Sequence, residues 1–314
     1  MTLSAPVGAM ADAGVADLPV SPEWLPLLTE LGDLKRTYSA NAAGSIAERL
    51  FARGWGALAA GQDAGAVMRA IVSTALAAAR LGDLDRERLM LLGLSADAAA
   101  TVLARALDEV AGPLDPALCE MLRAAVGEGA PDPAPLPGFV AKLARQPRAG
   151  VTCPGRPRLM LQPAENHAEH SVAVAIYAAL LAPGFAADPV AAFLAGIAHH
   201  LYSADMPDSG FSGEMLLGDE LDGVIARSRE MALADLSPPV AAMARAAVAL
   251  IVDDATPEAR AFHAADVLDR VLETAQHLRA REATMDVVLH EYELVHAGPV
   301  KPFHDAVLRR VGLL

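Results

Sequence analysis

Cysteine is almost missing from this chain: of 314 residues, only Cys119 and Cys153 carry a thiol. Two thiols are too few for a disulfide framework or a thiolate metal cage, and they make a reducing cytoplasm the simplest setting. Aromatic residues are sparse too, at 4%. Runs of β-branched residues are scarce, which favours helices packed closely through small side chains over a sheet-built core. Positive charge is also short, with 25 Lys and Arg against 39 Asp and Glu, a net charge of −14. That balance argues against a nucleic-acid polymer as standing partner, because a phosphate backbone needs a basic surface. A small phosphorylated ligand stays open, since a local basic cluster outweighs the global charge at short range. No uncharged apolar stretch is long enough to span a bilayer, so no membrane partner is expected. The first twenty residues lack the basic and apolar regions of a secretory signal and read as a flexible head.

What the chain does have is apolar periodicity. Hydrophobic residues make up 54% of it, which leaves no difficulty in building a core. They recur at three- and four-residue spacing through 45–60, 64–81, 96–110, 116–126, 167–181, 189–201, 214–233, 238–252 and 257–278. All are helix-length, so the expected class is all-α. The strongest break is the Pro- and Gly-rich stretch 127–138, which can neither sustain a helix ladder nor pack a core. It divides the chain into a helical domain over 21–130, a linker with a connecting helix over 131–150, and a second domain over 151–314. The two sides look related. Val102, Arg105, Leu114, Pro116, Met121 and Arg123 each recur 122 residues later as Val224, Arg227, Leu236, Pro238, Met243 and Arg245. A tandem pair of related helical halves follows, packed as an internal pseudo-dimer or otherwise as a homodimer, because each would bury an apolar face on the other.

Chemistry-bearing residues gather in the second half. Glu165-Asn166-His167-Ala168-Glu169-His170-Ser171 opens one helix, Ala198-His199-His200 follows the next, and Ala265-Asp266-Val267-Leu268-Asp269 lies in a later one. Imidazoles and a carboxylate brought together from three helices suit a divalent ion, with Zn, Mn, Fe, Co and Ni all compatible with such a donor set. Glu165 and Asn166 also read as an N-terminal cap. His167 is expected to be exposed, His263 to face the site one turn before Asp266, and His277, His290, His296 and His304 to lie on the surface. No Gly-rich phosphate loop, nucleophile elbow or Cys-His finger competes with this pattern.

The order of these segments, and the wording E-N-x-x-E-H-S in particular, resembles the HD superfamily of metal-dependent phosphohydrolases, closest to its bacterial 5'-deoxynucleotidase branch. The resemblance spans about 156–278. It implies an HD-like helical bundle in which His170, His199, His200 and Asp266 hold one divalent ion (Mn, Co, Zn, Mg or Fe) that activates water against a small phosphomonoester such as a nucleotide. The family's second His-x position is normally Asp, and a neutral His200 offers one nitrogen to one metal, which points to a mononuclear site. Ser203 stands where the family has a Glu that serves the attacking water. Asp208 aligns with a later Asp of the family, and Asp205 is the neighbouring carboxylate that could stand in as base, so both are the catalytic candidates. Arg156 and Arg158 precede the first ligand helix where the family carries a phosphate-binding Arg. The N-terminal copy, with Arg49 and Thr74 at ligand positions, is expected to be metal-free. Two other functions fit the same residues: a catalytically silent binding or regulatory module, and an iron-dependent oxygenase.

Overall fold

A computed structural model describes residues 18–126, 135–278 and 284–314. Among the described residues it is an all-α bundle with one two-stranded hairpin, Tyr38–Ser39 against Ala42–Ser45. The first half runs α1 (Leu25–Gly32), the hairpin, α2 (Ile46–Ala59), α3 (Ala64–Leu81), a short α4 (Arg86–Leu91), α5 (Ala96–Val110) and α6 (Pro116–Ala125). The second runs α7 (Gly138–Arg145), two isolated β-bridges, α8 (His167–Leu181), α9 (Pro189–Ala198), a short α10 (Gly210–Leu217), α11 (Leu221–Leu233) and α12 (Pro238–Ala249). The long α13 (Pro257–Leu278) and α14 (Lys301–Arg310) complete it.

Local chemistry explains where these helices start. Ser45, Asp63, Asp85, Ser95, Asp115 and Asp188 each accept a backbone N–H in the first turn of α2, α3, α4, α5, α6 and α9, satisfying donors a helix start leaves open. Proline occupies the first helical position of α6, α9, α12 and α13, where it removes no needed hydrogen bond. The single run expected over 214–233 is two helices, because the chain turns at Gly218 with φ at +51°. In the first half Gly93 turns at φ +103° after α4, and both glycines follow the same tripeptide, Met90-Leu91-Leu92 and Met215-Leu216-Leu217.

Helices on the two sides of the Pro- and Gly-rich break meet through α2 and α8. Their N-termini are tied reciprocally. Ser45, which caps α2, donates its hydroxyl to Glu169 of α8 at 2.5 Å, and Asn166, which caps α8, donates its side-chain amide to Glu48 of α2 at 3.2 Å. Helix α8 is buried along its whole length, which explains why its sequence is apolar on every face. Helix α9 lies directly on it, at Gly196. A Cβ there would stand 2.4 Å from the Cα of Ala175, so only glycine permits this approach.

Several residues sit differently from the sequence-based expectation. Leu18 and Val20, expected in the flexible head, are buried in the core, whereas positions 1–17 lie outside the described residues. Most of the expected break also lies outside them, at 127–134, and α7 beyond it packs Phe139, Val140 and Leu143 into the core. His167, His277 and His304 are buried rather than exposed. By length and composition alone the helices Ala64–Leu81 and His167–Phe185 could cross a membrane, but 56% and 83% of these windows are buried within the protein, as core helices are.

Candidate metal centre

Three elements converge at the first turn of α8. The capping box of Asn166 and Glu169 starts this helix and thereby fixes His170 one turn inside it, fully buried. The C-terminal end of α9 delivers His199, and α13 delivers Asp266 and Asp269, one turn apart on the face that packs against α8.

The hydrogen bonds of the two imidazoles determine where their lone pairs point. His170 donates Nδ1–H to Asp269 at 2.7 Å, and His199 donates Nδ1–H to the carbonyl of Gly196 at 2.6 Å. This network assigns the tautomers, and it leaves both Nε2 atoms without a proton. They face each other at 3.2 Å, with Oδ1 of Asp266 3.3 Å from Nε2 of His170. Three acceptors with no donor among them repel unless a cation lies between them. Two ligands about 2.0 Å from one tetrahedral ion stand about 3.3 Å apart, so His170 with His199, and His170 with Asp266, each have the spacing of a ligand pair on a first-row divalent metal. Asp269 supports His170 as carboxylates commonly support metal-binding histidines.

Charge states agree with this. Burial pushes His170 down to about 4, helped by the nearby Arg148, and burial together with His170 holds His199 well below the usual histidine range. Both are therefore neutral at pH 7, the form in which an imidazole can ligate a metal. Burial alone would raise Asp266, but Arg270, which donates to its Oδ2 at 2.7 Å, outweighs it, so the carboxyl stays ionised.

The ring nitrogens of His170, His199 and His200 lie close enough together to share one ion, yet both nitrogens of His200 have partners. Arg148 donates to Nε2 at 2.9 Å, and Nδ1 lies 3.3 Å from the Ser203 hydroxyl. As it stands, its ring forms a wall between the centre and a cavity of about 210 Å³, lined among others by Arg148, His167, Asp208, Arg270 and His296. Asp208 is locked by the backbone N–H groups of Ala149 and Gly210, at 2.9 and 2.8 Å, and faces Nε2 of His167 at 3.5 Å. Burial lowers His167 below the ordinary histidine value, despite Asp208.

Other candidates from the sequence lie elsewhere. Asp205 pairs with Lys142 at 2.6 Å and is not part of the cavity wall. Arg156 pairs with Glu291 at 3.1 Å beside the Tyr292 ring, and Arg158 donates to the Ser209 carbonyl. The cavity arginines are instead Arg148 and Arg270. Neither carried a recognisable signal, since Arg148 sits in an irregular loop and Arg270 resembles any charged residue on a helix. His263, expected at the site, bonds through Nε2 to the Asp253 carbonyl.

A second cluster lies behind the first. Glu165, His170 and Asp269 are close enough to share an ion, but the ammonium of Lys35 occupies their midst, 2.7 Å from Glu165 and 2.7 Å from Asp269. In the N-terminal half, Arg49 pairs with Asp83 and the Gly44 carbonyl, and Thr74 bonds the Ala70 carbonyl. The groups that could hold a metal among the described residues all lie in the C-terminal half. No family model, curated protein or solved structure matches this chain, so the chemistry of the centre is read from its own residues.

Proposed function

We propose that this protein is an HD-type, metal-dependent phosphohydrolase acting on a nucleotide or another small phosphomonoester. The observation that carries the reading is the bare Nε2 of His170, 3.2 Å from Nε2 of His199 and 3.3 Å from Oδ1 of Asp266, beside a cavity with two guanidinium groups on its wall. His170, His199 and Asp266 would hold one divalent ion, which when bound supplies Lewis acidity and an activated water at neutral pH. Arg148 and Arg270 suit the phosphate, because a guanidinium fork matches its oxygens. His167 suits the part of proton acceptor. Its Nε2 lies 3.5 Å from the ionised Asp208 and neither ring nitrogen has a hydrogen-bond partner, so in our reading this pairing would stand in for the missing Glu at Ser203. The recurring sequence positions and the crossed caps support a duplicated chain whose first half exchanged its ligands for the Arg49 ion pair.

One observation favours the catalytically silent alternative: Ser203 and His200 stand where the family has carboxylates, and they bond each other. The test is metal content of protein purified without a chelating tag, followed by phosphate release from deoxynucleoside monophosphates with Mn, Co, Mg or Zn. One bound metal with turnover supports the enzyme. Bound metal without turnover supports the silent module, and no metal overturns both forms of the centre.

A further inference from the structure

We propose that Lys35, contributed by the N-terminal half, is a positioning residue for the metal centre, holding His170 in its ligating orientation through Asp269. The inference rests on His170 being a metal ligand. Lys35 closes the short 3-10 turn after α1, and it is buried to 3% exposure. Its ammonium grips both oxygens of Asp269, at 2.7 and 2.8 Å, and also reaches Glu165 at 2.7 Å and Glu273 at 3.5 Å.

Asp269 has two partners: Lys35, which donates to both its oxygens, and His170, whose Nδ1–H donates to Oδ2. Without the ammonium, three carboxylates would face one another in a buried space, where like charges repel strongly. Asp269 is the one whose displacement reaches the centre, because its Oδ2 accepts from His170 and so fixes both the ring and its tautomer. Arg148 cannot replace Lys35 there, since its Nη1 is engaged by His200 and its Nε lies 3.7 Å from Glu165. Arg36, next in sequence, pairs with the outer oxygen of Glu273 instead. A residue of the N-terminal half thus completes the support of the metal centre in the other half. Metal affinity is therefore a property of the docked pair.

The test is a double-mutant cycle in the full chain, with Lys35→Met, Asp269→Asn and both together, using Co(II) as the probe. Affinity is read by titration, ligand geometry by the visible absorption of the bound ion, and folding by circular dichroism. Loss of such a supporting group typically costs about 10- to 100-fold in metal affinity, so Lys35→Met and Asp269→Asn are each expected to weaken Co(II) by about that factor and to alter its spectrum. The double variant is expected to be no weaker than Asp269→Asn, because both changes break one chain of contacts. Should Lys35→Met fail to fold, the double variant, which removes cation and anion together, is compared with Asp269→Asn and must equal it. Unchanged affinity and spectrum in Lys35→Met, or losses that multiply, would overturn the role of Lys35 while leaving the metal centre standing. A wild-type chain that binds no Co(II) overturns the centre itself, and the role of Lys35 with it.

Discussion

Nε2 of His170 and Nε2 of His199 face each other at 3.2 Å, and both nitrogens are bare because each ring donates its Nδ1–H elsewhere. An arrangement that is repulsive without a cation predicts which substitutions matter. His170→Ala should abolish stoichiometric metal, and Asp266→Asn should weaken it by about 10-fold or more. Elemental analysis of each purified variant decides this, and full metal content in His170→Ala would sink the assignment.

The cavity separates the carboxylates that matter from those that do not. Asp205 is held by Lys142 away from the cavity wall, so Asp205→Ala should leave phosphate release unchanged. His167→Gln should lower kcat by about 100-fold or more, the usual scale of a lost proton acceptor. A kinetic comparison on the best deoxynucleoside monophosphate checks both, and the reverse pattern would return the base to Asp205.

Gly196 sets the distance between α8 and α9. A Cβ in Gly196→Ala would meet the backbone of Ala175 at 2.4 Å, forcing α9 outward and carrying His199 away from His170. The expected cost is about 1–3 kcal/mol, the range for overpacked cores, together with weaker metal binding. Chemical denaturation and a Co(II) titration on the same variant measure the two effects, and wild-type values in both would show that the helices can slide at no cost.

Buried neutral histidines make the metal-free protein acid-labile. Burial pushes His304 down to about 3 and His296 down to about 4, against about 6.5 in an unfolded chain. The unfolded state therefore binds protons that the folded state refuses. Stability from these groups is fully present above about pH 6.5 and is lost as pH falls from there through the folded values, by up to about 1.4 kcal/mol per pH unit for the well-buried His304 and by less for His296, whose partial exposure lets solvent screen the effect. His304→Leu, which removes a ring whose Nε2 has no partner, should flatten the decline. Urea unfolding in a chelating buffer between pH 7.5 and 5 tests it, and an unaltered slope would exclude His304.

Much of the fold was legible because the helices announce their own starts. Helices α3, α5, α8 and α13 occupy the residues their periodicity indicates, with Asp63, Ser95 and Asn166 capping the first three. The short α4 offers only six residues to a periodicity reading, and α1 opens on Leu25-Pro26, which resembles a turn. The histidines of the centre were visible as a pattern, but their environment was not. Nothing near Lys35 in the sequence points to Asp269, 234 positions away. A lysine followed by an arginine and a threonine reads as solvated surface, and long-range pairing of this kind has no local signature. The same holds for Arg148, which reaches His200 from an irregular loop.

Arg148 and Arg270 line a cavity in a chain of net charge −14, and the two facts act at different ranges. An anion in dilute buffer first feels the repulsion of the whole molecule, and only within a few ångströms does it feel the guanidinium groups. Salt near the physiological level screens interactions beyond about 8 Å far more than those in a partly enclosed cavity. Added salt should therefore speed the arrival of a small anion before it weakens its retention. This signature is the opposite of electrostatic steering, and it makes the affinity for a small anion pass through a maximum as ionic strength rises.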